Sequence, residues 1–399
     1  MRPRLLSRRD TVRKTIRVGI LHSLTGPMSI NEKSIVEAEL LAIEEVNAKG
    51  GVLKRPVEPV LADGGSDADI FAREAERLCV EEDVCVIFGC WTSSSRKAVR
   101  PVIEKLNRLL FYPPTYEGLE ESPNIFYMGG APSQQILPAV HWLLDNRGTD
   151  FFFVGSDYVW PRSSRAILGD ILGYQGGSIV GESYLRMDQA DVKPIVEQIL
   201  DVKPHVIVNM LAHSHLAFFN ELGAVGLEIP TFSLAFGEDL LSKLDPRVAA
   251  GGYMAWGYFH SLDIPENKEF VEAFKNRYGA HRVTDDTMHN AYVGVRLWAN
   301  AAKAAGSTDS VALREALRGR SLRAPQGQVW VDEENHHLWR NVRIGQIKRS
   351  GRVDVIWSSE TLLRPVPYPP SRPRGAWDAL LSDMYANWDD QWVCPADGD

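Results

Sequence analysis

The chain has 399 residues, 44% hydrophobic and 24% charged, a globular composition with room for about two domains of ~100–200 residues. A net charge of −8 disfavours a phosphate-tracking nucleic-acid surface as the main function, and no apolar run approaches the ~20 residues a membrane span needs. Cys79, Cys85, Cys90 and Cys394 lack paired C-x-x-C spacing, so they read as small buried apolar residues, with neither zinc nor a disulfide framework expected.

The first fourteen residues, MRPRLLSRRDTVRK, carry five arginines and a lysine. Ser7-Arg8-Arg9 has the pair of a twin-arginine export signal, but Asp10, Thr11, Arg13 and Lys14 stand where ~7–15 apolar residues belong. Residues 1–15 are therefore expected to be a basic, disordered terminus of a cytoplasmic protein. From Ile16 strands and helices alternate. IRVGILHS leads to the helix SIVEAELLAIEEVNAKGG, which stops at Gly50-Gly51. VEPVLAD precedes a helix through Glu82, VCVIFGC one over 93–107, and LLFYPP ends at two prolines. After NIFYMGG the series restarts: a helix over 134–145, FFFVGSDY, a helix from Ser163, HVIVNML, a helix from His215, TFSLAF and GGYMAWGYF.

Such alternation predicts parallel sheets covered by helices on both faces, here in two similar lobes. Helices over 267–278 and 286–305 have no strands of their own and should pack back on the first lobe. Residues 328–358 alternate as antiparallel strands around a turn at Ser350-Gly351. The expected division is a first lobe of 16–131 plus 262–327, a second of 132–261 plus 328–362, and a tail over 363–399 lying as a proline- and aromatic-rich surface strap.

Ligands of open parallel sheets bind outside the carboxyl ends of the strands. Those ends carry His22-Ser23, Cys90-Trp91-Thr92-Ser93 and Tyr112-Pro113-Pro114-Thr115-Tyr116 in the first lobe. In the second they carry Ser156 to Trp160, Leu211-Ala212-His213, Ala235 to Glu238, and Tyr258 after the last strand. The set is aromatic, hydroxylated and mostly uncharged, which suits a small polar molecule. No G-x-x-x-x-G-K-[ST] loop occurs and no G-x-G-x-x-G follows a strand, so no nucleotide cofactor is expected. His213-x-His215, His260 and His289 lack a completing ligand pattern, as does Asp67-x-Asp69, so no metal is expected either.

The stretches GILHSLTG, FGCWTSSSRKAV, FYPPTYEGLEESPNIFY, VGSDYVWPR, APQGQVWV and ENHHLWRNVRIGQI resemble the type I periplasmic-binding-protein superfamily. The likeness falls in the branch of urea-transporter substrate-binding proteins and the amide sensor of aliphatic amidase operons, and it runs over nearly the whole chain. It implies an α/β clamshell of two Rossmann-like lobes joined by a multi-strand hinge, with the ligand between them. It also implies that Trp91, Ser93, Tyr112, Tyr158 and Trp160 face that ligand. The amide sensor has tyrosines where Trp91 and Trp160 stand, and the urea-binding proteins carry an export leader.

On this reading Ser93 and its helix N-terminus donate to a carbonyl oxygen while Trp91 forms a wall. Tyr158 and Trp160 alternate out of a strand end onto the ligand, and Glu238 accepts its N–H groups. Thr92, Pro114, His213 and Tyr258 complete the candidate lining. The plainer alternative makes the serines caps and Trp91 lobe packing. The rival class is an amidase using Cys90 at a strand-to-helix turn, although no local motif ties a base to it. The expected function is non-catalytic binding of urea or a short-chain amide, as a cytoplasmic sensor acting on a regulator or as the binding component of an ABC permease. Neither nucleic acid nor membrane insertion is expected, and homo-oligomers are left open.

Overall fold

Short β-rich runs that end in glycine, serine or a proline pair build two parallel sheets. The computed structural model describes residues 14–396, so the expectation for residues 1–13 lies outside the described residues. In the first lobe β1 (Ile16–His22), α1 (Ser29–Ala48), β2 (Val57–Asp63), α2 (Ala68–Val80), β3 (Val86–Gly89), α3 (Ser93–Lys105), β4 (Leu109–Tyr112) and β5 (Ile125–Tyr127) follow in turn. The strands are all parallel, in the order β2-β1-β3-β4-β5. The order reverses between β1 and β3, which opens a crevice at the ends of those two strands. Gly89 belongs there because it has φ +149° and a Cβ would sit 2.0 Å from the Leu21 carbonyl oxygen.

The second series runs α4 (Ile136–Asn146), β6 (Asp150–Ser156), α5 (Val159–Gln175), β7 (Ser178–Leu185), α6 (Lys193–Val202), β8 (Val206–Met210), α7 (His215–Ala224), β9 (Thr231–Ser233), α8 (Glu238–Leu241) and β10 (Tyr253–Trp256). The chain continues with α9 (Pro265–Tyr278), α10 (Asp286–Ala305), α11 (Ser310–Leu317), β11 (Ser321–Ala324), β12 (Gly327–Val331), β13 (Leu338–Trp339), β14 (Arg343–Ile347), β15 (Val353–Ser358) and α12 (Arg374–Asn387). The second sheet has the order β15-β14-β10-β9-β8-β6-β7, antiparallel only at β14 and β15. Its reversal lies between β6 and β8. The fold is the expected two-lobed α/β clamshell.

Helix α10 packs along α1, placing Val293, Val295, Leu297 and Trp298 in the core of the first lobe. Three local expectations change. Residues 328–358 do not form one antiparallel unit: β12 and β13 pair with β11 and put Val329, Val331 and Leu338 in the first core, whereas β14 and β15 extend the second sheet. Helix α5 begins at Val159 rather than Ser163, because Pro161 is tolerated in a first turn and Tyr158 is an extended N-cap. The tail contains a helix, α12, anchored by the fully buried Trp377 in the second core.

Candidate ligand cleft between the lobes

Three crossovers meet at a buried guanidinium. Arg340 donates to the Met128 carbonyl at 3.1 Å and to Gln326 Oε1 at 3.0 Å, and pairs with Asp286 Oδ1 at 2.5 Å. Asp286 Oδ1 also accepts the Gly257 and Tyr258 amides. A Cβ on Gly257 would lie 2.2 Å from Arg340 Nη2, so only glycine lets the chain approach this hinge so closely. Away from the hinge α1 meets the second lobe. Asn31 Nδ2 donates to the Ala212 carbonyl at 3.4 Å, Ser34 Oγ to Asp239 Oδ2 at 3.0 Å, and Lys243 Nζ to the Ile30 carbonyl at 3.1 Å. These bonds cross the cleft, so the lobes are closed.

One end of the cleft is the first turn of α3. Thr92 is its cap, accepting the Ser95 amide at 3.1 Å, which leaves the first-turn amides of Ser93 and Ser94 as orphan donors. Beneath them lies a buried charged knot. Arg96 pairs with Glu117 at 2.8 Å and Glu120 at 2.9 Å, and Lys97 with Glu120 at 3.1 Å. The Arg96 guanidinium also sits 4.7 Å from the Tyr112 ring centre and 4.5 Å from that of Tyr116. Burial alone would raise the Glu120 carboxyl, but Arg96, Lys97 and Arg100 outweigh it and hold it well below its usual range. From the second lobe Tyr158 reaches the same place. Burial, then Tyr112 and Glu117, push its phenol well above the ordinary value against Arg96.

The other end lies where α8 meets the start of α10. A cavity of about 30 Å³ is bounded by Trp91 and Trp256, with Asn31, Gly237, Asp239 and Asp285 among its lining. That is centre space for roughly two waters. Asn31 Oδ1 is buried without a partner among the described residues. Glu238 beside it accepts the His260 amide at 2.7 Å. Burial and nearby Asp285 nevertheless push its carboxyl up to about 8, against that hydrogen bond. Burial and Asp239 raise Asp285 to about 7. This end is thus rich in acceptors and short of positive charge.

The structure brings some expected residues together and not others. Trp91 packs against both lobe cores, and Tyr158 and Trp160 meet edge-on with ring centres 6.4 Å apart. Trp160 does not alternate out of a strand, since β6 ends at Ser156 and Trp160 lies in α5. Ser93 is not a free donor: its hydroxyl proton goes to Glu117 and its oxygen accepts from Arg96 at 3.1 Å. Tyr112 donates to the Trp91 carbonyl at 2.8 Å, positioning the wall. Thr92 is a cap. Pro114 lies under Gly129, whose Cβ would be 2.1 Å from the Pro114 carbonyl. His213 is bound within the second lobe, at 3.1 Å from Ser156 Oγ and 2.9 Å from the Gln189 carbonyl. Tyr258 is core, bonded to Asn267 and Thr284 at 2.7 Å and stacked on His289.

Asn31, Trp256 and Asp285 were absent from the candidate set. Asp285 had a visible signal as an acid before a helix, whereas Asn31 lies in the first turn of α1, before the apolar pattern that begins at Ser34, and carried none. Cys90 is fully buried and burial pushes its thiol up, with Glu32 and Glu39 adding to the effect, which leaves no accessible thiolate for an amidase. Among the described residues no group of three or more His, Cys, Asp or Glu could hold a metal ion. No described helix is long and apolar enough to cross a membrane.

Two parallel-sheet lobes, a three-crossover hinge and polar groups converging on the space between define a ligand-binding clamshell. The chain matches the periplasmic binding protein domain family over residues 16–374 and belongs to it. It is 23% identical over 345 residues to Leu/Ile/Val-binding protein homolog 6 of Brucella suis, covering 84% of this chain and 88% of that one. A stretch of 124 residues is 41% identical to a protein of Geobacillus stearothermophilus named limonene hydroxylase. The chain spans only about a fifth of that relative, 22%. Among solved structures it is similar to a solute-binding protein of an ABC transporter from Rhodopseudomonas palustris BisB5 in complex with 3,4-dihydroxybenzoic acid. That match has a TM-score of 0.82 and 23% identity, covering 88% of this chain and 99% of that one. It is also similar to a branched-chain amino acid transporter substrate-binding protein from Streptococcus pneumoniae in complex with isoleucine, at TM-score 0.73 and 19% identity, covering 88% and 100%.

Proposed function

We propose that this protein is the substrate-binding component of an ABC-type importer and closes on a small neutral ligand with one carbonyl and several N–H donors, such as urea or a short-chain amide. The observation that carries this reading is the cavity of about 30 Å³ bounded by Trp91 and Trp256, far below the 300–1,000 Å³ typical of drug-sized ligands. Carboxylates and Asn31 accept N–H bonds on one side. The first-turn amides of α3 and the Tyr158 hydroxyl lie outside this lining, towards the other end of the cleft, and are the donors proposed for the carbonyl of a ligand that reaches past Trp91. No catalytic group is required of it.

The second reading is an amino acid, favoured by the acidic pair Glu238 and Asp285, which would hold an ammonium. The relatives named for leucine, isoleucine and valine support it. Family and relatives together favour delivery to a permease from the periplasm over the expected cytoplasmic sensing, which they do not support; the regulator partner loses its basis with it. Calorimetry with urea, acetamide, isoleucine and 4-hydroxybenzoate tests the ligand. Urea or acetamide should bind and the two larger molecules should not. Binding of isoleucine alone replaces the first reading with the second.

A further inference from the structure

The C-terminal strap is mounted on the second lobe. Arg372 forms a two-pronged pair with Asp170 of α5, each bond 2.7 Å, and Ser371 donates to the same carboxylate. Trp377 and Leu381 are buried in the second core. Beyond α12 the backbone lies across the mouth of α5: Val159 donates to the Trp392 carbonyl at 3.0 Å, Cys394 donates to the Asp157 carbonyl at 3.1 Å, and Tyr158 bridges to Val393. The strap's last turns therefore sit directly on the segment that presents Tyr158.

From that mount the strap reaches the first lobe at several places, beginning with Arg364–Glu334 and the Asn335 side-chain amide donating to the Pro365 carbonyl at 3.2 Å. Leu119 donates to the Pro367 carbonyl at 2.8 Å, Arg374 pairs with Glu121 at 3.0 Å, and Lys97 of α3 lies 4.6 Å from the Trp392 ring centre. Lys97 is also a member of the buried knot under the α3 N-terminus. A groove of about 1130 Å³ runs between α2–α3 and the strap, past Asp67, Ser94 and Lys97 to Trp392 and Val393. The strap's end narrows this approach to the first turn of α3.

We propose that the strap is a latch on the closed state: anchored to the second lobe, it grips the first lobe through Lys97–Trp392 and Arg374–Glu121. Opening must break these first-lobe contacts, while Arg372–Asp170 and Trp377 keep the strap on the second lobe throughout. Its removal should therefore favour the open form at a distance, including the far seam where α1 meets α8.

The test compares the full chain, a variant ending at Trp388, and Trp392→Ala, all without added ligand. Small-angle scattering reads lobe separation and hydrogen exchange reads the seam at residues 29–34 and 238–243. Both variants should show a larger radius, and exchange at that seam should rise roughly 2- to 30-fold, the range one lost cation–π contact covers. Far-ultraviolet circular dichroism controls for folding. If exchange rises only at residues 157–159 and the radius is unchanged, the strap is a local cover and the latch is wrong. These readouts need no ligand, so they stand apart from the urea or amide reading.

Discussion

The two ends of the lobe interface solve the problem of buried charge in opposite ways. At the α3 end every ionic group has a counterpart: Arg96 faces Glu117 and Glu120, and Lys97 and Arg100 share Glu120. At the α8 end Glu238 and Asp285 crowd one another, with Lys243 committed to Asp239. A compensated knot is a rigid platform that does not respond to small changes in condition. An uncompensated acidic pair is poised, because a proton or a ligand's N–H groups can relieve it. The difference assigns rigidity to the α3 end and responsiveness to the α8 end.

The sharpest way to break this contrast is Arg96→Met. It leaves Glu117 and Glu120 buried with one strong cation removed, and breaking a buried pair costs about 3–5 kcal/mol. Unfolding in guanidinium chloride should show a loss of that size, and urea is best avoided as a denaturant here. A loss below about 1 kcal/mol would mean the knot is not the platform described.

Acid and base should act on the other end. Glu238 and Asp285 have folded values raised above those of the unfolded chain, so the native state binds more protons and stability falls as pH rises, from about 4 through about 8. His22 adds a second window. Burial opposes its charge, but Glu39 and Glu32 push the ring up to about 10, so its contribution is full below about 6.5 and lost towards pH 10. Buried histidines act in the opposite sense below about 6.5: burial holds His215 and His337 down to about 3 and His260 to about 4. The acidic pair is therefore read from the difference between the parent and a variant, not from the parent's melting curve alone. Glu238→Gln mimics the protonated acid. Relative to the parent it should gain stability as pH rises from 5 to 8 and share the parent's alkaline decline. A variant whose stability runs parallel to the parent's from pH 5 to 8 contradicts the assignment.

The fold was legible because its signals are local. The helix expected over 286–305 coincides with α10, bounded by the Asp285 cap and by Gly306 in the left-handed region, both readable from residue type. The places of Tyr158 and Trp91 just beyond strand ends, at the seam between the lobes, were also legible. What failed was partner assignment across distance. Ser93 and Arg96 each meet a glutamate 24 residues on, Glu117 and Glu120, and nothing in the local pattern of SSSRK reveals that. Helix α12 was missed although Trp377, Leu381, Met384 and Trp388 form an apolar stripe at helical spacing that packs on the second core; the proline-rich run before it masked that signal.

The smallest effects separate the hydroxyls in the stretch Thr92 to Ser95. Thr92→Ala removes a cap and should cost about 1 kcal/mol of stability. Ser93→Ala removes a donor to Glu117 and an acceptor for Arg96, both buried, and should cost about 1–3 kcal/mol. Neither hydroxyl proton is free for a ligand, so calorimetry should find urea or acetamide affinity within about threefold of the parent for both variants, a difference below ~1 kcal/mol. Tyr158→Phe, in contrast, removes a hydroxyl proposed to donate to the ligand's carbonyl and should weaken binding by more than either. If Ser93→Ala weakens binding strongly while stability is unchanged, the serine turns to the ligand in the bound state. The compensated end would then be as responsive as the acidic one.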